Sequence, residues 1–84
     1  MTKADVEKKV KEITARVLKT DVAKVDLKQR FAQDLGAESI QSIELVAAFE
    51  EGFKIEMDED EALSVTNVGA AVDYIFKVCQ QQHG

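Results

Sequence analysis

Four apolar positions, Val6, Val10, Ile13 and Val17, recur at i, i+4, i+7 and i+11 near the start of the chain. That spacing lays them on one stripe of a helix. Thr2, with Asp5 three residues on, resembles a helix cap with an acidic first turn, so a helix is predicted over residues 3–18. Residues 19–37 hold no sustained helical period and close on Asp34-Leu35-Gly36-Ala37, where Gly36 can take a positive φ. A loop this long in a short chain is a hint of function or of local packing. Val25, Leu27, Phe31 and Leu35 are expected to pin it to the core. Helical period resumes near Ser39. Ile40, Ile43, Val46, Ala47 and Phe49 or Phe53 share one side, while Gln41, Glu44 and Glu51 lie away from it, and Gly52 is expected to end the helix. Asp58 to Leu63 reads as a short acidic helical turn. Thr66 is expected to cap a last helix in which Val68, Val72, Ile75 and Cys79 repeat the first stripe, with Gln80 to Gly84 as a fraying polar tail. The fold class is therefore all-α: a small four-helix bundle of three longer helices and one short one, up-down in its simplest form.

Composition narrows this further. Eighty-four residues make room for one domain, taken as residues 1–84. With 45% hydrophobic and 32% charged residues, a folded chain is favoured over a disordered one. Aromatics at 6%, no Trp, no Pro and four Gly argue against a β-sandwich, which needs more turn residues and aromatics. One cysteine excludes an internal disulfide. No apolar run approaches a membrane span and no signal-peptide core is visible, so a cytoplasmic setting is expected. The formal charge of -5 argues against nucleic acid as a partner. That charge is unevenly spread. Residues 1–30 hold nine basic and five acidic groups, a net of +4, whereas residues 31–84 hold two basic and eleven acidic groups, a net of -9. The asymmetry fits an acidic face aimed at a basic partner, and it equally describes an uneven solvated surface.

Enzyme chemistry finds little to work with. There is no glycine-rich phosphate loop, and the single histidine, His83, stands next to the last residue, far from any triad partner in sequence. Cys79 shares an apolar stripe, which favours packing over nucleophilic chemistry. One Cys and one His do not build a zinc site. The acidic run from Glu56 to Glu61 fails the calcium-loop pattern, because counting from Asp58 places Leu63 where Gly is required and Gly69 where Glu is required. No catalytic residue and no metal site is expected.

Ser39 remains. A serine opening a helix is most often a cap or first-turn residue. The same position also exposes a hydroxyl where the helix dipole favours an attached phosphate, and no neighbouring base makes it a nucleophile in its own right. The surrounding residues resemble the acyl carrier protein family. The likeness runs through Phe31-x-x-Asp34-Leu35-Gly36-Ala37, Ser39-Ile40, Ile43-Glu44-Leu45-Val46, Phe53, an acidic short helix ending in Ala62, Val65-Thr66-x-Val68 and Ala70-Ala71-Val72-Asp73-Tyr74-Ile75. It covers nearly the whole chain.

That resemblance implies a non-catalytic carrier. Ser39 would be esterified by the 4′-phosphopantetheine of coenzyme A through a magnesium-dependent phosphopantetheinyl transferase. The arm's thiol would then carry acyl intermediates as thioesters in fatty-acid, lipid or polyketide biosynthesis. It further implies a recognition surface for synthase and transferase enzymes with basic patches, made by Asp34, Glu38, Ile40, Glu44, Glu50 and Glu51. It also implies an acyl-chain cavity lined by Phe31, Ile43, Val46, Ala47, Ala62, Val65, Val68, Ala71 and Ile75, in a chain expected to be monomeric. Glu38, Ile40 and Asp58 stand where the family usually has Asp, Leu and, in many members, Pro, and Gly69 interrupts the start of the last helix; these departures point to a specialised carrier. Two alternatives stay open: an aminoacyl or peptidyl carrier of the same fold, and an unmodified acidic helical adaptor.

Overall fold

The computed structural model describes residues 2–83. Four helices follow in order: α1 (Lys3–Leu18), α2 (Ser39–Phe53), α3 (Glu59–Ser64) and α4 (Val68–His83). The fold is the expected small helical bundle, with α1 packed against both α2 and α4. Val6, Val10 and Ile13 from α1 meet Leu45, Phe49 and Phe53 from α2 and Val68, Val72 and Ile75 from α4 in one core.

The helix ends follow from local chemistry. At α1 the Asp5 N–H donates to Thr2 Oγ1 and the Thr2 N–H donates to Asp5 Oδ2, each at 3.2 Å, closing a capping box. Those bonds hold the Asp5 carboxyl below its ordinary value. Lys19, at φ 56, stops α1 in a left-handed conformation. At α4 the cap is Asn67 and not Thr66: Asn67 Oδ1 accepts from the Ala70 N–H at 2.7 Å, and the Thr66 carbonyl is already taken by the Phe31 N–H at 3.0 Å. Gly69 lies inside the first turn of α4 without interrupting it.

Two further expectations are corrected. Gly52 does not end α2. The helix continues to Phe53 and stops on Lys54 at φ 55, while a Cβ on Gly52 would lie 2.6 Å from Ile13 Cδ1, so the glycine serves the close approach of α1. The residues after Gln80 do not fray. Glu56 N–H donates to Gln82 Oε1 at 2.8 Å, and Gln82 Nε2 returns a bond to the Glu56 carbonyl at 2.7 Å. His83 Nε2 lies 3.2 Å from the Phe53 carbonyl and 2.8 Å from that of Lys54. Carbonyl oxygens only accept, so Nε2 bears the proton and caps the end of α2. Gly84, the last residue of the expected tail, lies outside the described residues.

The inward face of α2 is also rotated from the expected one. Ile40 is 65% exposed, Ile43 is 51% exposed and Ala47 is exposed, whereas Leu45, Phe49 and Phe53 are buried. The helix carries two apolar stripes, and the one with both phenylalanines removes more surface from water. Ile40, Ile43 and Ala47 are left on the outside.

The segment between α1 and α2 is a loop with one 3₁₀ turn, Val22–Lys24. It is bound to the start of α4 by three backbone bonds: Phe31 N–H to the Thr66 carbonyl, Val68 N–H to that of Gln29 and Gly69 N–H to that of Leu27. Val25 and Phe31 are buried and Leu35 is half-buried against the core, but Leu27 stays exposed at the surface, where its carbonyl accepts from the Gly69 N–H.

Candidate functional site

The residues before α2 form a tight turn. Phe31 anchors it in the core, and the Leu35, Gly36 and Ala37 N–H groups donate back to the carbonyls of Arg30, Ala32 and Phe31. Gly36 sits at φ 72, a region a side chain would enter at a cost. Asp34 fastens the turn: its Oδ2 accepts from the Arg30 N–H at 2.7 Å and lies 3.5 Å from Arg30 Nε. This turn delivers Glu38 as the cap of α2, with its N–H on Gln41 Oε1 at 2.9 Å. Ser39 is then the first residue inside the helix.

Ser39 is exposed, and its hydroxyl makes no side-chain hydrogen bond to the described residues. Ser42, one turn along, is half-buried and directs its hydroxyl to the Glu38 carbonyl at 3.5 Å. Ser39 also shares the end of α2 where backbone N–H groups lack intrahelical partners and the helix dipole is positive. A phosphate ester fits there on both counts. The one histidine is remote: His83 binds the opposite end of α2, which at 15 residues is about 22 Å long. The thiol and the phenol are held in their protonated forms. Burial pushes the Cys79 thiol above its ordinary 9.0, and burial with the Glu61 carboxylate pushes the Tyr74 phenol above 10.0.

Beside Ser42 opens a cavity of about 170 Å³. Phe31, Val46, Ala62, Val65, Ala71 and Ile75 line it. Three predicted residues do not. Ile43 and Ala47 point outward with the exposed stripe of α2, and Val68 is fully buried in the core between α1 and α4 without reaching the cavity wall. The wall is completed by Leu45, Phe49, Met57, Leu63 and Tyr74, with Gln33, Ser42 and Thr66 as polar members. The signal for three of these is present in the chain: Ser42, Leu45 and Phe49 repeat at i, i+3 and i+7, a second stripe beside that of Ile40, Ile43 and Ala47. Met57 and Leu63 carry no such period, being brought in by the connection to α3.

The acidic groups divide by what they touch. Glu38, Glu44 and Glu51 are exposed, as is Asp34 despite its bonds to Arg30. Glu50 is half-buried and its Oε2 accepts from the Met57 N–H at 2.9 Å, so its carboxylate holds the α2–α3 connection. No helix among the described residues is long and apolar enough to cross a membrane.

Among known protein families, residues 8–75 match the one described as PP-binding, phosphopantetheine attachment site. The match runs from α1 through the turn, the start of α2 and the cavity wall to Ile75 in α4, and the chain belongs to this family of carrier domains, which are not themselves catalytic and take 4′-phosphopantetheine as a covalent arm.

Proposed function

We propose that the chain is an acyl carrier protein whose arm is esterified to the Ser39 hydroxyl, serving fatty-acid, lipid or polyketide biosynthesis. Ser39 is the only serine that follows Gly36-Ala37 and an acid, and the freedom of its hydroxyl supports it over Ser42. Once attached, the arm supplies a terminal thiol that holds cargo as a thioester. The chain's own residues do three things. The N–H groups at the start of α2 favour the phosphodiester charge. The wall built from Phe31, Val46, Leu45, Phe49, Ala71 and Ile75 shelters apolar cargo from water. Glu38, Glu44 and Glu51, with exposed Ile40 between them, meet basic patches on partner enzymes. Asp34 adds to that surface, whereas Glu50 is occupied with Met57.

The observation that carries the acyl reading is the cavity one turn from Ser39 with its mostly aliphatic and aromatic wall. An aminoacyl or peptidyl cargo would bring its charged and amide groups to a wall that offers few partners. Intact-mass measurement tests the attachment. Unmodified protein incubated with coenzyme A, magnesium and a broad-specificity transferase gains the mass of one phosphopantetheine, and the Ser39→Ala protein gains none. No gain in the wild type, the outcome for a plain adaptor, or a gain that survives the substitution overturns the proposal.

A further inference from the structure

The outer face of α2 ends on a charge of opposite sign to the rest. Residues 31–84 hold two basic groups, Lys54 and Lys77, against eleven acidic ones. Lys77 lies on α4, whereas Lys54 caps the C-terminal end of α2. Ile40, Ile43, Ala47, Glu51 and Lys54 follow i, i+3, i+7, i+11 and i+14, and all five are exposed. Glu44 stands beside this stripe, also exposed. From Ser39 outward the face therefore passes from aliphatic and acidic groups to a cation at its far end, about 22 Å along the helix.

That cation has no partner within the chain. The ion pairs among the described residues are Lys3–Asp73 and Arg30–Asp34, and the lysine set over an aromatic ring is Lys9. Glu50, four residues back, directs its carboxylate to the Met57 N–H instead. The backbone beneath the charge is fixed. The Lys54 N–H donates to the Glu50 carbonyl, and the Lys54 carbonyl accepts from His83 Nε2 at 2.8 Å. Lys54 also stands at φ 55, which glycine takes freely and a side chain does not. Lys19 ends α1 in the same conformation, but in the basic part of the chain.

A fixed, unpaired cation at the end of an acidic face discriminates between partners. A basic patch that follows α2 as far as Glu51 meets acids, whereas one that runs on to the helix end meets Lys54 and is repelled. We infer that Lys54 is a specificity-determining residue for phosphopantetheine transfer to Ser39: it slows transferases whose basic patch extends along the whole of α2 and leaves those with a shorter patch unhindered. The inference rests on the reading that Ser39 receives the arm while the outer face of α2 meets a basic partner surface. In that transfer the Ser39 oxygen bonds to the phosphorus that bears pantetheine, and the pyrophosphate linkage of coenzyme A breaks. Adenosine 3′,5′-bisphosphate leaves, and the hydroxyl proton passes to a base of the transferase or to water. Lys54 touches none of these atoms. It acts on encounter and orientation, so its effect enters KM more than kcat and fades as salt rises.

Transfer rates test it. The full chain as wild type, Lys54→Gly, Lys54→Glu and Lys77→Glu, each unmodified, is incubated with coenzyme A, magnesium and a transferase chosen for a basic patch at least as long as α2. Loading of Ser39 is followed by intact mass. Lys54→Gly removes the charge without straining the helix end. At low salt kcat/KM is expected to rise about two- to fivefold in Lys54→Gly and about five- to twentyfold in Lys54→Glu, mostly through KM. At high salt both converge on the wild type. Lys77→Glu makes the same change in net charge on α4 and should stay within about twofold. With a second transferase whose patch covers the first half of α2 alone, all four proteins should load within about twofold of one another. No loading of the wild type by either transferase overturns the attachment reading and this inference together. Normal loading, with kcat/KM for the long-patch transferase equal or lower in Lys54→Glu, overturns the role of Lys54 alone. An equal rise in Lys77→Glu, or with the short-patch transferase, assigns the effect to net charge and overturns that role too.

Discussion

Thr14 sits in the middle of α1 with none of its surface exposed, and its hydroxyl finds no hydrogen-bond partner among the described residues. An unsatisfied buried hydroxyl costs about 1–3 kcal/mol, and valine has nearly the same shape without it. Thr14→Val is therefore expected to stabilise the fold by about 1 kcal/mol, read as a rise of roughly 4–8 °C in the thermal midpoint. The two serines of α2 differ at the same level of detail. A single turn separates them, yet one hydroxyl faces water at the start of the helix and the other bends back onto the Glu38 carbonyl. Ser39 stood out in the sequence because of its neighbours Gly36, Ala37 and Glu38. That its hydroxyl is free, while Glu38 takes the capping position, depends on the path of the turn that Phe31 anchors.

The helices themselves were largely visible as patterns. α1 matches its predicted extent because Thr2, Asp5 and the Val6-Val10-Ile13 stripe are all local signals. The face of α2 was not legible: two apolar stripes share one helix, and which of them turns inward is settled by the surfaces of α1 and α4. The end of α4 is illegible for a similar reason. A run of glutamines and a histidine reads as a solvated tail until the turn after α2 comes within reach of it. Gln82 satisfies both backbone groups of Glu56, so Gln82→Ala removes two bonds at once. The expected cost is about 1–2 kcal/mol, because exposed groups regain water, and amide exchange at residues 54–57 should rise well above that of the α1 core. Exchange at those residues that matches the wild type would show that the α4 end does not hold this connection.

Across the molecule, charge and shape work together. The Lys3–Asp73 ion pair joins α1 to α4, but its side chains are 60% and 66% exposed, so it adds little stability. On the proposed function, the acidic groups of residues 31–84 would act at longer range, on the speed and orientation of encounter with a basic partner. Neutralising Glu44 and Glu51 together is expected to slow cargo transfer by a partner enzyme and flatten its salt dependence. The thermal midpoint should stay within about 2 °C, since exposed charges contribute little to folding. Transfer kinetics unchanged at low salt would remove α2 from the recognition surface.

What could be read along the chain was whatever short-range chemistry specifies: the number of helices, the α1 cap, the positive φ at Gly36, the serine with its leading motif, and the split of charge between the two parts of the chain. These depend on residues within a few positions of one another. The bundle alone assigned the roles that need distant partners. It turned Leu45 and Phe49 inward and Ile43 and Ala47 outward, gave Gly52 to the contact with Ile13 and Glu50 to Met57, and brought Tyr74 to Glu61 across the cavity. Burial is a competition among all apolar faces for one core, and its outcome is carried by no single stretch of sequence.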